Sequence, residues 1–244
     1  GTGESRAGTG VRAVFGGGYA PGAKDHMDYI TIDTLGNAQD FGDLGTEIFA
    51  NSGYSGRVFG FFSGYYPVGS NIYRHTISST GSSADSGFDL SVGRGYAKGL
   101  SNSTRGIICA GSNPSNPSGT NIIDYHSIPV GGNAQDFGNL TNATIAPITC
   151  ASSVRGICAG GQATPNFYAN IDYITISTTG DAQDFGDLST ARAQFACGFS
   201  NATRGILGGG ITAVAPSTPL NTIDFITIAS TGTAKDFGDL SRTN

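Results

Sequence analysis

Arg204-Gly205-Ile206-Leu207-Gly208-Gly209-Gly210 echoes Arg155-Gly156-Ile157-Cys158-Ala159-Gly160-Gly161, which in turn echoes Arg105-Gly106-Ile107-Ile108-Cys109-Ala110-Gly111. Looser copies start at Arg57 and Arg12, and the intervals between the five arginines are 45, 48, 50 and 49 residues. About ten residues past each glycine cluster comes a second echo. Ile171-Asp172-Tyr173-Ile174-Thr175-Ile176 matches Ile223-Asp224-Phe225-Ile226-Thr227-Ile228, and Met27-Asp28-Tyr29-Ile30-Thr31-Ile32 is a third copy. The last echo, Ala-Gln-Asp-Phe-Gly-Asp-Leu, begins at Ala38 and Ala182, recurs with single changes at Ala134 and Ala234, and is degenerate from Ala84 to Leu90. Five copies, about 1–44, 45–90, 91–140, 141–188 and 189–240, fill the 244 residues as one domain.

Each copy reads as four strands. A small apolar stretch such as Ala193-Gln194-Phe195-Ala196-Cys197-Gly198 comes first, followed by a turn and then by the Arg-Gly-Ile strand. The third strand alternates, with Ile223, Phe225 and Thr227 set against Thr222, Asp224 and Ile226, as a sheet with two different faces requires. A Ser-Thr-Gly turn leads to the fourth strand around Phe237. Four strands in a repeat of 40–50 residues is the pattern of a propeller blade. The expected fold is therefore all-β: a five-bladed β-propeller with four antiparallel strands per blade. One blade cannot cover both faces of its own sheet, and a ring of them can. In this register every blade is one unbroken copy, the first opening on a short innermost strand near Arg6, and closure rests on blade-to-blade packing.

Composition agrees. Charged residues make up 13% of the chain and there are 39 glycines. The charged share is about half the usual quarter of a soluble domain. That suits short strands and tight turns better than helices. A net charge of −5 without a basic patch argues against nucleic acid and anionic membranes as partners. No apolar run approaches the roughly 18 residues of a membrane helix, and no signal-peptide pattern opens the chain.

The strand order and the glycine pairs Gly160-Gly161 and Gly208-Gly209 resemble the kelch repeat. Phe41, Phe137, Phe185 and Phe237 stand where kelch usually has tryptophan, and Arg192 matches the kelch arginine that precedes the innermost strand. The stretch from Thr203 to Leu240 more closely resembles the kelch-like repeats of virion structural proteins in tailed phages, marine and cyanobacterial ones above all. That resemblance implies a component of the virion surface: a fibre, a decoration protein or a host-adsorption module. It also implies other virion proteins or a host-surface glycan as partners, and a homo-oligomer within an assembly. A secreted, lectin-like propeller that binds carbohydrate and a kelch-type protein-interaction scaffold are the alternatives.

Catalytic readings fare poorly. Asp-Phe-Gly recurs at Asp40, Asp136, Asp184 and Asp236 without a kinase's companion lysine and catalytic-loop aspartate. A motif repeated once per blade is structural. His75 and His126 occupy one repeat position in neighbouring blades, too far apart to share a metal, and Gly16-Gly17-Gly18 ends a strand instead of opening a helix. The expectation is a protein that is not an enzyme and has neither metal nor cofactor. Arg12, Arg57, Arg105, Arg155 and Arg204 form a ring, read as satisfied by turn carbonyls or by Asn37, Asn133 or Asp181 of their own blades. Cys150 and Cys158 lie on the arms of a hairpin centred near Val154, which leaves a bridge between them open, and Cys109 and Cys197 have no evident partner. The glycosylation-like triplets at Asn102, Asn142 and Asn201 read as one recurring turn position.

What varies between copies is the loop after the glycine strand: 19–25, 65–70, 112–119, 162–169 and 211–220. Variable loops on a rigid ring are the usual place for recognition. Tyr19, Tyr65, Tyr66, Phe167 and Tyr168 are candidates to stack on sugar rings, with Asn113, Asn116 and Asn166 bonding hydroxyls.

Overall fold

The computed structural model describes residues 11–214 and 216–242. Among them every regular element is a strand, and all but the short hairpin of Gln162–Ala163 and Asn166–Phe167 fall into five antiparallel sheets arranged as the blades of a propeller. Blade two consists of Ser52–Ser55, Phe59–Ser63, Asn71–Thr76 and Ala84–Asp89, and blade three of Lys98–Ser101, Arg105–Cys109, Thr120–Ser127 and Gly131–Thr144. Blade four runs Ile148–Ala151, Arg155–Ala159, Asn170–Thr175 and Gln183–Asp187, and blade five Ala193–Ser200, Arg204–Val214, Thr222–Thr227 and Lys235–Asp239. Each is a meander paired in chain order from the innermost strand outward. Blade one contributes Arg12–Gly16, Lys24–Thr31 and Gln39–Ile48, and the innermost strand expected near Arg6 lies outside the described residues.

The repeated triplets are the joints of this architecture. Asp40, Asp136, Asp184 and Asp236 each accept a hydrogen bond through Oδ1 from the backbone N–H of the glycine two residues on, at 3.0–3.1 Å. That bond holds the bulge between third and outer strands, seen as a register shift at Ile171/Asp172 and at Ile223/Asp224. Asp85 does the same for Gly87 at 3.0 Å, so the degenerate second copy keeps the joint although Ser86 replaces phenylalanine. Asn102 and Asn201 accept from two N–H groups of the following turn, including those of Arg105 and Arg204. Asn142 does not share that position. Blade four places Ser152 there, bonding Val154 and Arg155, whereas Asn142 lies on the long outer strand of blade three.

Blades two, three and four meet a neighbour on both faces, and blades one and five on one face each among the described residues. Leu100, Ile107 and Phe137 of blade three pack with Ile174 and Ile176 of blade four, and Cys150, Ile157 and Phe185 of blade four with Leu207, Ile226 and Ile228 of blade five. Tyr54 and Phe61 join blade two to Ile108 and Ile128, and Met27 and Phe41 join blade one to Phe62 and Tyr73. Each fully buried aliphatic or aromatic side chain contributes about 1.5–3 kcal/mol. Within this packing Asp224, on the same face of the third strand as Ile226 and Ile228, is wholly buried.

The glycine register shifts by one in blade five. Gly17-Gly18, Gly160-Gly161 and Gly209-Gly210 carry positive φ at both residues, while Gly208 stays within its strand. The structural double glycine is therefore Gly209-Gly210, not Gly208-Gly209.

Candidate functional site

The loop face is braced by two buried ion pairs. Arg94 Nη1 lies 2.7 Å from Asp124 Oδ2 and Arg192 Nη2 lies 2.9 Å from Asp224 Oδ2, with all four side chains fully enclosed. Arg94 also donates from Nε to the Ala110 carbonyl at 2.7 Å and from Nη2 to the Ile108 carbonyl at 3.1 Å. It thereby ties the linker into blade three to the strand that ends in the next loop. In blade four the arginine position is Thr144, and Asp172 keeps the bonds from the Thr141 hydroxyl at 2.7 Å and the Thr141 N–H at 2.9 Å that Ser91 gives Asp124 and Ser189 gives Asp224. Burial raises the Asp172 pKa, against the lowering effect of those bonds.

On this base stands a ladder of aromatic rings. Tyr19 meets Phe49 edge-on at 5.1 Å, Phe49 meets Tyr66 at 5.0 Å, and Tyr66 meets Tyr96 at 6.4 Å. The rungs come from blade one, the linker into blade two, the loop of blade two and the linker into blade three. Phe49 and Tyr66 are locked by reciprocal backbone hydrogen bonds of 2.8–2.9 Å. Tyr96 has φ 56°, as have Ala50 and Ala146 at the matching points of their blades, near 50°. Ala146 N–H donates to the Tyr96 carbonyl at 2.9 Å, linking successive blades around the axis. Tyr19 and Tyr66 are exposed, and offset or edge-on aromatic arrangements of this spacing leave ring faces free for a ligand.

The other loop residues divide by role. Tyr65 is buried, donating from its hydroxyl to Asn71 Oδ1 at 3.2 Å, and desolvation raises its pKa. Asn113 is also buried, and its side chain accepts from the N–H groups of Ser115 and Asn116 at 2.9–3.0 Å, shaping its own turn. Asn116 and Asn166 are exposed, and Phe167 and Tyr168 are half-buried beside them. Gln162, paired with Phe167 in a short hairpin, accepts at Oε1 from Gln194 Nε2 at 2.6 Å. Phe49 and Tyr96 escaped sequence reasoning because they lie in the linkers before the innermost strands, outside the variable loops.

The arginine ring is satisfied across blades. Arg12, Arg105 and Arg155 donate from Nη1 to the carbonyls of Ile77, Ile176 and Ile228 in the following blade, at 2.8–3.3 Å. Each stacks on its own blade's Tyr29, Tyr125 or Tyr173 at 4.4–4.6 Å, and Arg204 lies 4.7 Å from the Phe225 ring. Carbonyls were expected, but in the same blade. Asn133 accepts instead from the Asp89 N–H and Asp181 from the Asn139 N–H. Arg57 does not belong to the ring: it is exposed in a turn, and strand register puts Phe59 at the position of Arg105. There the pair is exchanged, with Arg74 lying 4.8 Å from the Phe59 ring.

All four cysteines are free. Cys150 opposes Ile157 and Cys158 opposes Thr149, so the two thiols face different blade junctions. Cys158 instead adjoins Cys109, a neighbour the repeat spacing did not reveal, and this contact together with burial raises its pKa. His75 and His126 are buried separately against aromatic rings, and desolvation lowers each pKa to about 4. Among the described residues one set of possible metal ligands converges, Asp25, His26 and Asp43 within 4.8 Å, and the histidine side chain is 73% exposed. No protein-family model matches the sequence, and no curated protein matches it.

Proposed function

We propose that the protein is a non-enzymatic binding module of a virion surface that works through the loop face of its propeller. The observation that carries the binding part is the ladder Tyr19–Phe49–Tyr66–Tyr96, whose exposed rings are fixed by backbone bonds and by the strands beneath them. Rigid aromatic faces suit a carbohydrate, whose C–H faces stack on rings, and the exposed amides Asn116 and Asn166 in the loops of blades three and four can meet hydroxyls. The propeller itself is compatible with any interaction scaffold, and fold does not assign function. The virion setting, at the surface of an extracellular particle and beside other virion proteins, rests on the resemblance of its repeats to phage structural proteins.

The test is binding of the fluorescently labelled propeller to cyanobacterial cells and to a glycan array. Tyr19→Ala and Tyr66→Ala are the informative variants, since both rings are exposed whereas Tyr65 is buried in the core. Saturable binding reduced at least tenfold by either substitution is the expected result. Binding that both variants retain places the ligand elsewhere, and no binding to any cell or glycan removes the adsorption reading.

A further inference from the structure

The junctions within the chain follow one pattern. The carbonyls of Phe41, Phe137 and Phe185 accept from the N–H groups of Gly81, Gly180 and Gly232 in the next blade, all at 2.7 Å. Two residues on, Asp43, Asn139 and Asp187 accept from Ser83, Ala182 and Ala234 at 2.7–2.8 Å. The arginine of the first blade caps the end of the next blade's third strand. At the junction between blades two and three the Asp89 N–H donates to Asn133, as the Asn139 N–H does to Asp181 between blades three and four.

The outward faces of blades five and one carry the two halves of this pattern, and among the described residues neither is covered by another blade. Phe237 is 54% exposed, against 2–3% for Phe41, Phe137 and Phe185. A Cβ built on Gly42 or Gly186 falls 2.6 Å from the backbone of the neighbouring turn, whereas one on Gly238 meets nothing within 4 Å. Phe199 is 52% exposed, while its counterparts Tyr54, Leu100 and Cys150 are buried. On blade one, Ile32 is 56% exposed, against 0–4% for Ile128, Ile176 and Ile228. Ala38 is exposed where Ala134 and Ala234 are buried.

We propose that these faces join separate copies of the chain: blade five of one docks on blade one of a second in the register of the internal junctions. The Gly36 N–H then donates to the Phe237 carbonyl, Arg204 to the Ile32 carbonyl, and Phe199 packs over Ala13. A second copy is the occupant because it presents the missing half of each face, in a spacing the chain already uses three times. Such a head-to-tail contact is heterologous, so it propagates into a ring or a helical filament.

Cross-linking tests this, in a Cys197→Ser background that leaves three buried thiols. Asp187→Cys with Ala234→Cys is the control, the internal pair at the same register, joined by the Ala234 N–H to the Asp187 carbonyl at 2.8 Å. An Ala38→Cys chain mixed with an Asp239→Cys chain is expected to oxidise to a dimer. The doubly substituted chain is expected to give a ladder of oligomers. Weight-average mass in sedimentation should rise with concentration, and Phe237→Asp or Ile32→Asp should return it to the monomer. An internal disulfide in the doubly substituted chain at monomer mass overturns the proposal in favour of ring closure within one chain. Failure of every 38/239 combination to cross-link, with monomer mass throughout, overturns it in favour of some other occupant.

Discussion

At the scale of single residues, the chain contains its own substitution series. One buried site is filled by Arg94 with Asp124, by Arg192 with Asp224, and by the apolar pair Ile48 and Tyr73. Removing one member of a buried ion pair strands the other charge and costs about 3–5 kcal/mol, whereas replacing both with packed apolar groups is often neutral. Asp224→Tyr and Arg192→Ile are therefore each expected to destabilise strongly, and the double substitution to recover most of the loss, as read from urea midpoints. Recovery of less than half would show that surrounding packing, not the pair, sets the cost. The buried histidines give a second expectation. Their folded pKa of about 4 lies below the ordinary 6.5, so the unfolded chain takes up protons first. Stability is then level above pH 6.5 and falls as pH drops toward 4, by about 3 kcal/mol per histidine. His75→Phe, which replaces a ring whose Nδ1 is buried without a partner and stacks on Phe62, should remove about half of that fall. An unchanged pH profile would mean that His75 takes up its proton over the same pH range in the folded chain as in the unfolded one.

At the scale of strands and their joints, what the sequence revealed depended on whether a feature repeats locally. The Asp-Phe-Gly joint was legible because its hydrogen bond spans two residues, and the strand count followed from the same echoes. The exchange of Arg105 and Tyr125 for Phe59 and Arg74 was not legible, since the pair is adjacent only across the sheet and Arg57 offers a false match in sequence. The glycine register in blade five was misread for a related reason: three consecutive glycines hide which two carry positive φ. The tyrosine ladder was half legible, its loop members by composition and its linker members by nothing short of the fold. The joint itself is testable. Gly186→Ala adds strain at φ 139° and a clash with the Gly232 backbone, whereas Gly238→Ala adds strain alone at φ 136°. Backbone strain costs about 1–3 kcal/mol. An overpacked contact adds about 1–3 kcal/mol more. In dilute solution, the midpoint of Gly186→Ala should lie clearly below that of Gly238→Ala, and equal midpoints would mean that blade five is covered as blade four is.

At the scale of the whole molecule, the propeller behaves as a short one-dimensional array whose stability is a sum over blades and junctions. Blades three and four each have a neighbour packed on both faces, with Leu100, Ile107, Ile157 and Ile171 fully enclosed. Blades one and five have one such neighbour each among the described residues, and Phe15, Ile32, Phe199 and Phe237 stand exposed at those ends. Local opening follows the density of buried contacts. Amide hydrogen exchange in dilute protein should therefore be slowest in Arg105–Cys109 and Arg155–Ala159, and faster by orders of magnitude in Arg12–Gly16 and Lys235–Asp239. Raising the concentration should selectively slow exchange at 32–38 and 235–239 if copies join end to end, while the loop-face residues Tyr19 and Tyr66 remain accessible. Uniform protection across all five blades at the lowest concentration would instead describe a ring closed within one chain. Its exposed ends would then not survive in solution, and recognition would fall to the loop face alone.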